Sequence, residues 1–435
     1  MRSTLLLLLC CTWLNATFAQ APLYFPPVEG PEWANIPQDS LGWCPEKVDS
    51  LLAFAESKGT KSLLILKDGR IALEAYFGSY TADSLWYWAS AGKSLMGVMV
   101  GLAQEDGHLS IQQPVSDFMG EGWSSCPPEK EALIQVFHQI TMTTGLDDSI
   151  EEDAASNCFE PECFQYLADA GERWAYHNAP YRFVQDVVEE ATGLNLTLFT
   201  RLRLGNRIGM KGAWFNYIYF STARDMARFG LFNLAEGRWG DDQVMTDTAY
   251  HAAMRQPAQP HNPAYGYLWW LNGQSSFLLP GLQATFPGPL IPEAPSDMYA
   301  ALGANDQKIY IVPSQNLVVV RQGLDAGGIA PAASSFDNEL WSRLSGLACN
   351  PVGAEQRLPH SNALRVYPNP ATEFIQISSP APITSTTLWT LEGRLAAQWG
   401  GQLLLPVGQI PDGLYLLQTT LSTGETMQQQ IMIAH

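Results

Sequence analysis

Apolar residues recur along this chain with two different periods, and the changes of period divide it into elements. Ser62–Leu66 is nearly all apolar, K-D-G-R follows, and Ile71–Tyr76 is again rich in apolar positions. Two such runs around Asp68-Gly69 predict a β-hairpin, because that pair accepts the positive φ values a tight hairpin turn needs. Leu95, Val98, Met99 and Leu102 then fall at helical spacing and predict a helix just after W-Y-W-A-S-A-G-K. Two more helical patterns, Y-R-F-V-Q-D-V-V-E-E-A-T-G and S-T-A-R-D-M-A-R-F-G-L-F-N-L-A-E-G, run out at Gly193 and Gly237, residues suited to stop a helix. K-I-Y-I-V-P and N-L-V-V-V-R-Q-G predict two adjacent strands joined by a turn at Ser314 to Asn316. Strand pairs at both ends with helices between them predict a mixed α/β (α+β) unit built on an antiparallel sheet.

The period changes once more after N-P-V-G-A-E-Q-R-L-P-H-S-N. Four stretches, V-Y-P-N-P-A-T-E-F-I-Q-I, L-W-T-L-E-G-R-L, I-P-D-G-L-Y-L-L-Q-T and M-Q-Q-Q-I-M-I, alternate apolar with polar residues. Glu392-Gly393, Asp412-Gly413 and Thr423-Gly424 punctuate them, which predicts a small all-β sandwich. V-Y-P-N-P, D-G-L-Y and the short last strand, spanning Leu364 to His435, resemble the C-terminal sorting domain of type IX secretion cargo. That resemblance implies a domain read by an outer-membrane export machine. At the other end, one Arg2, a short apolar run and small residues up to Ala19 read as a secretory signal peptide. Neither Cys10 nor Cys11 follows a small residue, so lipid anchoring is not expected. The predicted organisation is a signal peptide at 1–19, the large α/β unit at 20–350, a linker at 351–363 and the sandwich at 364–435. The expected location is secreted or cell-surface.

Composition narrows the partners. A formal net charge of −19 on 435 residues would repel nucleic acid or an anionic membrane surface, so neither is expected. Apolar residues make up 46% and charged ones 15%, enough for a large core. Past the signal peptide there are five cysteines. Cys158 and Cys163 bracket a short loop and form one expected disulfide. Cys44 and Cys349 lie near opposite ends of the large unit and form another, leaving Cys126 free. Clustered Cys/His spacing for zinc is missing, so no metal and no organic cofactor is expected. The acidic run D-D-S-I-E-E-D from Asp147 lacks regular calcium-ligand spacing and reads as a solvated loop.

Ser90 and Lys93 stand three apart at the head of the first helix, on one face. A serine hydroxyl needs a base, and a lysine can be one if burial and the positive helix end lower its pKa. Isolated S-x-x-K matches are common by chance, and Ser90 as a helix cap is the plain alternative. Downstream, G-E-R-W-A-Y-H-N-A-P-Y presents Tyr176 and Asn178 on one side of an extended segment and turns His177 away. A phenol there can relay protons, and an amide can orient lysine or substrate. W-A-S-A-G has Trp88 where a G-x-S-x-G hydrolase has its first glycine, which disfavours a Ser-His-Asp arrangement.

Taken together, these motifs resemble the serine β-lactamase and D,D-peptidase superfamily, on the Y-x-N branch that holds class C β-lactamases and related esterases. The resemblance covers Leu51 to Gly323 and includes I-T-M-T-T-G-L and Y-G-Y-L-W-W. It implies a β-lactamase-like fold with an all-helical subdomain, Ser90 as acylated nucleophile, Lys93 as base and Tyr176 as general acid/base. Asn178 would orient substrate and lysine. The third family motif, K-T-G, is matched only by Ala301-Leu302-Gly303, so the lysine that would hold a substrate carboxylate is absent. The amides of Ala304 and Ser90 would still form an oxyanion hole beside Gly303. Asn305, Asp306 and Gln307 either touch substrate or make a tight turn into the next strand. The expected activity is hydrolysis of a small-molecule ester or amide, as in the aminohexanoate-dimer hydrolases. The alternatives are a D,D-peptidase or β-lactamase, and a silent binding protein with this fold. The aromatic and proline-rich stretch 256–297 either walls the pocket or packs as ordinary surface.

Overall fold

The computed structural model describes residues 22–149, 159–327, 335–349, 364–379, 381–390, 394–423 and 426–435. The signal peptide, the linker, Cys158 and most of the acidic run lie outside the described residues. So do Glu392-Gly393 and Gly424.

Six strands make the central sheet: β1 (Thr60–Lys67), β2 (Arg70–Tyr76), β3 (Trp270–Leu271), β4 (Tyr299–Gly303), β5 (Gln307–Val312) and β6 (Leu317–Gly323). Their order is β2-β1-β6-β5-β4-β3, and every pairing is antiparallel. The hairpin turn at Asp68-Gly69 has φ of 51° and 77°, which is why that pair serves there. The second expected turn is a tight one at Pro313–Gln315, closed by Asn316 at φ 47°.

Five longer helices pack around the sheet: α1 (Pro45–Ser57), α2 (Gly92–Glu105), α3 (Asn178–Thr192), α4 (Ala223–Leu234) and α5 (Ser335–Ser345). Alternation along the strands decides what each face meets. Ile309 and Val318 point toward α4, where Gly230 lets the helix settle: a Cβ there would lie 2.5 Å from Val318 Cγ1. Lys308, Tyr310 and Arg321 point the other way, toward Phe336, Asp337 and Trp341 of α5. Short helices 116–119, 128–131 and 136–140 join α2 and α3 in a helical layer between β2 and β3.

α3 ends as expected at Gly193, in the left-handed conformation with φ 67°. α4 is capped by Thr222 and Asp225 and ends at Leu234, with Glu236 and Gly237 both at positive φ. Cys44 and Cys349 are bonded with Cα atoms 4.9 Å apart, and Cys126 is a buried free thiol. Cys163 is disulfide-bonded as well.

A second apolar core is built from Leu364 to Ile433. Its strands are β7 (Arg365–Tyr367), β8 (Phe374–Ser378), β9 (Ile383–Thr390), β10 (Leu395–Trp399), β11 (Leu404–Pro406), β12 (Gly413–Leu421) and β13 (Thr426–Ile433). They form sheets β7-β8-β11 and β10-β9-β12-β13, the two layers of a sandwich. The fold is thus the mixed α+β unit followed by a small all-β domain that the patterning predicts.

Candidate active site

The chain reaches Ser90 from a short strand, Trp86–Tyr87, that pairs with Ile218–Ser221. Trp88 anchors the approach: its ring is fully buried against Tyr219 and Phe229, and its Nε1 donates to Ser221 Oγ at 2.8 Å. With Trp88 fixed, Ala89 takes φ 47°, a conformation a Cβ-bearing residue adopts only under tertiary constraint. That turn presents Ser90 in a single 3₁₀ turn directly ahead of α2. Ser90 does not cap the helix. The N-cap position is Ala91 and no side chain fills the role, so the serine hydroxyl is left for another partner.

That partner is Lys93, whose Nζ lies 3.2 Å from Ser90 Oγ and 2.9 Å from Asn178 Oδ1. The lysine is 4% exposed on a helix whose residues 92–103 are all buried. Burial first, and then the positive charge of Arg182, hold its pKa well below the ordinary lysine value. The amine is also flanked by two aromatic faces, with Nζ 4.1 Å from the ring centre of Tyr181 and 5.0 Å from that of Tyr176.

Tyr176 belongs to an extended approach that ends at His177, and Asn178 is the first residue of α3. The extended reading of Y-H-N therefore stops at His177, because Asn178 is already helical. Tyr176 Oη is shielded from solvent and makes no hydrogen bond of full geometry. Burial raises its pKa, and the nearby Ser90 side chain draws it partly back. The ring stacks on Trp270 at 5.8 Å and 22°, with Tyr265 edge-on at 6.1 Å. Gln283 donates to Trp174 O, and Trp174 packs on the same cluster. The 256–297 stretch thus supports Tyr176 from behind.

β4 closes the other side. A Cβ on Gly303 would lie 2.5 Å from Trp88 O, 2.8 Å from Ala91 N and 3.2 Å from Ser90 N, so only glycine lets this strand end touch the serine turn. Ala304 follows, exposed, and Asn305 and Asp306 both take positive φ, 56° and 57°. Arg321 Nη1 donates to the carbonyls of Asn305 and Asp306, and Gln307 Nε2 to that of Asn305 at 2.7 Å. Asp306 and Gln307 are buried in this support, whereas Asn305 is exposed and its Nδ2 donates to Tyr87 Oη at 2.8 Å. The structure therefore gathers Ser90, Lys93, Tyr176 and Asn178 at one point and sets Gly303, Ala304 and Asn305 along its edge. Ala301 is fully buried in β4 and carries no charge.

His177 is turned away, 5% exposed, with both ring nitrogens unpartnered. Asp148, from the start of the acidic run, pairs with Arg173 at 2.6 Å. Among the described residues no group of His, Cys, Asp or Glu could hold a metal ion, and no helix is long and apolar enough to cross a membrane. Reading the sequence missed Tyr181 and Arg321, and it held Trp270 only as part of Y-G-Y-L-W-W. Tyr181 had a usable signal, since it sits three residues after Asn178 on what proves to be one helix.

Known proteins share the family and the fold of this chain. The Beta-lactamase family profile matches residues 55–322, and the secretion system C-terminal sorting domain profile matches 365–434. A 6-aminohexanoate-dimer hydrolase homologue from Bacillus anthracis shares the fold at TM-score 0.54 and 17% identity, over 75% of this chain and 89% of its own. A β-lactamase homologue from Bacteroides dorei aligns at TM-score 0.55 and 15% identity, over 70% and 99%. A protein of Alkalihalophilus pseudofirmus without an assigned function is 22% identical over 306 residues, covering 60% of this chain and 82% of that protein. The sorting domain marks the chain for type IX export to the cell surface or beyond. The chain belongs to the Beta-lactamase family, within the β-lactamase and penicillin-binding-like serine hydrolases, and carries a secretion sorting domain at its C-terminal end.

Proposed function

We propose that the protein is an exported hydrolase that cleaves an ester or amide through a covalent acyl-Ser90 intermediate. The observation that carries this reading is Lys93: buried, held 3.2 Å from Ser90 Oγ, and depressed in pKa. As Ser90 Oγ bonds to the substrate carbonyl carbon, its proton passes to the Lys93 lone pair and the C=O π pair moves onto oxygen. The amides of Ser90 and Ala304 stabilise that oxyanion, with Gly303 keeping the strand end in place. Tyr176, beside both Ser90 and Lys93, hands a proton to the leaving group as its bond to carbon breaks. Water then attacks the acyl carbon and gives its proton to the Tyr176 oxygen; the bond from the acyl carbon to Ser90 Oγ breaks, and the Lys93 ammonium returns its proton to Oγ. Asn178 holds Lys93 in position.

The neutral Ala301 lacks the charge that would hold a carboxylate beside the scissile bond, which supports another ester or amide over a β-lactam or a cell-wall peptide. The name of the Bacillus anthracis relative, a 6-aminohexanoate-dimer hydrolase homologue, supports the amide form of this reading. Catalysis is assigned to 20–350, targeting to 1–19 and to 364–435, and 351–363 joins the two folded units. The test is labelling of the intact protein by a fluorophosphonate probe with peptide mapping, alongside turnover of short p-nitrophenyl esters and binding of fluorescent penicillin. Label on Ser90 with ester turnover and no penicillin adduct is the expected result. Label elsewhere, or none, overturns the mechanism, and a stable penicillin adduct at Ser90 moves the protein to the peptidase side.

A further inference from the structure

A base that has taken a proton becomes an ammonium ion, and inside a protein that ion needs a partner. Lys93 has an unusual set. Its polar contacts are two neutral oxygens, Ser90 Oγ and Asn178 Oδ1. The charge acting on it from nearby is Arg182, which is positive and opposes protonation. The ammonium position is bracketed instead by the faces of Tyr181 and Tyr176, at 4.1 and 5.0 Å. Both rings are held rigidly. Tyr181 is 4% exposed on α3 and its Oη accepts from Gln185 Nε2 at 3.3 Å. Tyr176 is backed by Trp270 and Tyr265.

The ring face carries negative electrostatic potential and attracts a cation most strongly where water is excluded. It does so without becoming a second base: burial raises the pKa of the Tyr181 phenol, which stays neutral. A carboxylate at the same place would hold the lysine permanently charged and useless as a base. Two neutral faces stabilise the ammonium enough for it to form and leave it free to lose its proton again.

We propose that the Tyr181 and Tyr176 rings hold Lys93 in its transient ammonium form, and that Tyr181 is a positioning residue that sets the pH range in which Ser90 is acylated. This rests on the reading of Lys93 as the base. The groups facing Lys93 are Ser90 from its own turn, Tyr176 with Tyr265 behind it, and Asn178, Tyr181 and Arg182 from α3. Weakening the Tyr181 face removes support from the ammonium form alone. The amine then loses its proton at lower pH, so the acidic limb of the acylation profile moves down. The weaker base also lowers the plateau rate.

The experiment measures the rate of Ser90 labelling by a fluorophosphonate between pH 5 and 10. It compares the wild-type chain, Tyr181→Phe, Tyr181→Leu and a series with progressively fluorinated phenylalanine at 181. Fluorination drains the ring face while keeping its shape, so a structural role would not respond to it. Tyr181→Phe keeps the wild-type limb. The most fluorinated ring and Tyr181→Leu move it down by about one pH unit and slow the plateau by about tenfold. A limb that stays fixed through the fluorinated series, with melting temperatures unchanged, overturns the proposal while leaving the acyl-serine mechanism standing. Absence of Ser90 labelling in the wild-type chain overturns both.

Discussion

Replacing Gly303 with alanine is the sharpest single test of how the edge strand serves the reaction. The added Cβ meets three backbone atoms of the serine turn: Trp88 O at 2.5 Å, Ala91 N at 2.8 Å and Ser90 N at 3.2 Å. None is the far end of a flexible side chain. The turn cannot retreat easily either, because Trp88 is fully buried and pinned through Ser221 and Tyr219. Relief has to come from β4 moving off by several tenths of an ångström, and Ala304 moves with it. Removing one donor from an oxyanion hole costs about 10²–10³ in kcat, on the order of 3–4 kcal/mol. Overpacking costs about 1–3 kcal/mol of stability, read as a drop of roughly 2–6 °C in melting temperature. The assay is p-nitrophenyl ester turnover with a thermal melt on the same samples. The expected result is a folded protein, modestly less stable, with kcat down at least about a hundredfold and KM changed far less. Wild-type kcat in Gly303→Ala refutes the assignment of the oxyanion hole to this strand end.

Lys93→Ala abolishes ester turnover and fluorophosphonate labelling of Ser90, with circular dichroism unchanged; undiminished turnover excludes lysine as the base. Tyr176→Phe keeps Ser90 in place but lowers turnover by about 10²–10⁴, the range for loss of a positioned general acid/base, and the ester assay checks it. The fold is acid-labile through two buried histidines, since burial, with lesser electrostatic contributions, brings the pKa of His177 to about 4 and of His251 to about 3. Both folded values lie below the ordinary 6.5, so their contribution to stability is fully present above pH 6.5. It is lost progressively as pH falls toward those folded values, roughly 3–5 kcal/mol per group once protonated. Melting temperature recorded from pH 7.5 to 4 checks this, and His251→Phe flattens the slope.

What the sequence revealed about the site depended on how local each signal is. The Asp68-Gly69 hairpin, the helix after Lys93 and the strand pair around Ser314 to Asn316 depend on neighbours in the chain, and all are where the pattern puts them. Ser90 and Lys93 lie one helical turn apart, so their contact is local too. The role of Tyr181 is not local. Whether one of the chain's 16 tyrosines offers its face or its hydroxyl is decided by how α3 crosses α2, and composition carries no trace of that. The serine-cap expectation failed for a related reason. The strained Ala89 turn, imposed by buried Trp88 from outside the helix, rotates Ser90 away from the helix amides. Asp306 and Gln307 looked equally suited to substrate contact and to turn formation. Arg321, in a strand read only as apolar, decides for the turn by gripping its carbonyls.

The Cys44–Cys349 bond, seen mechanically, is a load path. A chain handled by an export machine through its last domain transmits any pull to residue 349 first. Without a crosslink that tension would fall on α5 and peel it from β5 and β6, taking with it Asp337, which holds buried Lys308. With the crosslink, force passes at Cys349 directly into Cys44 and the start of α1, and the peeling lever has no length. The strand ending at Gly303, and Ala304 after it, stay outside the direct path from Cys349 to Cys44.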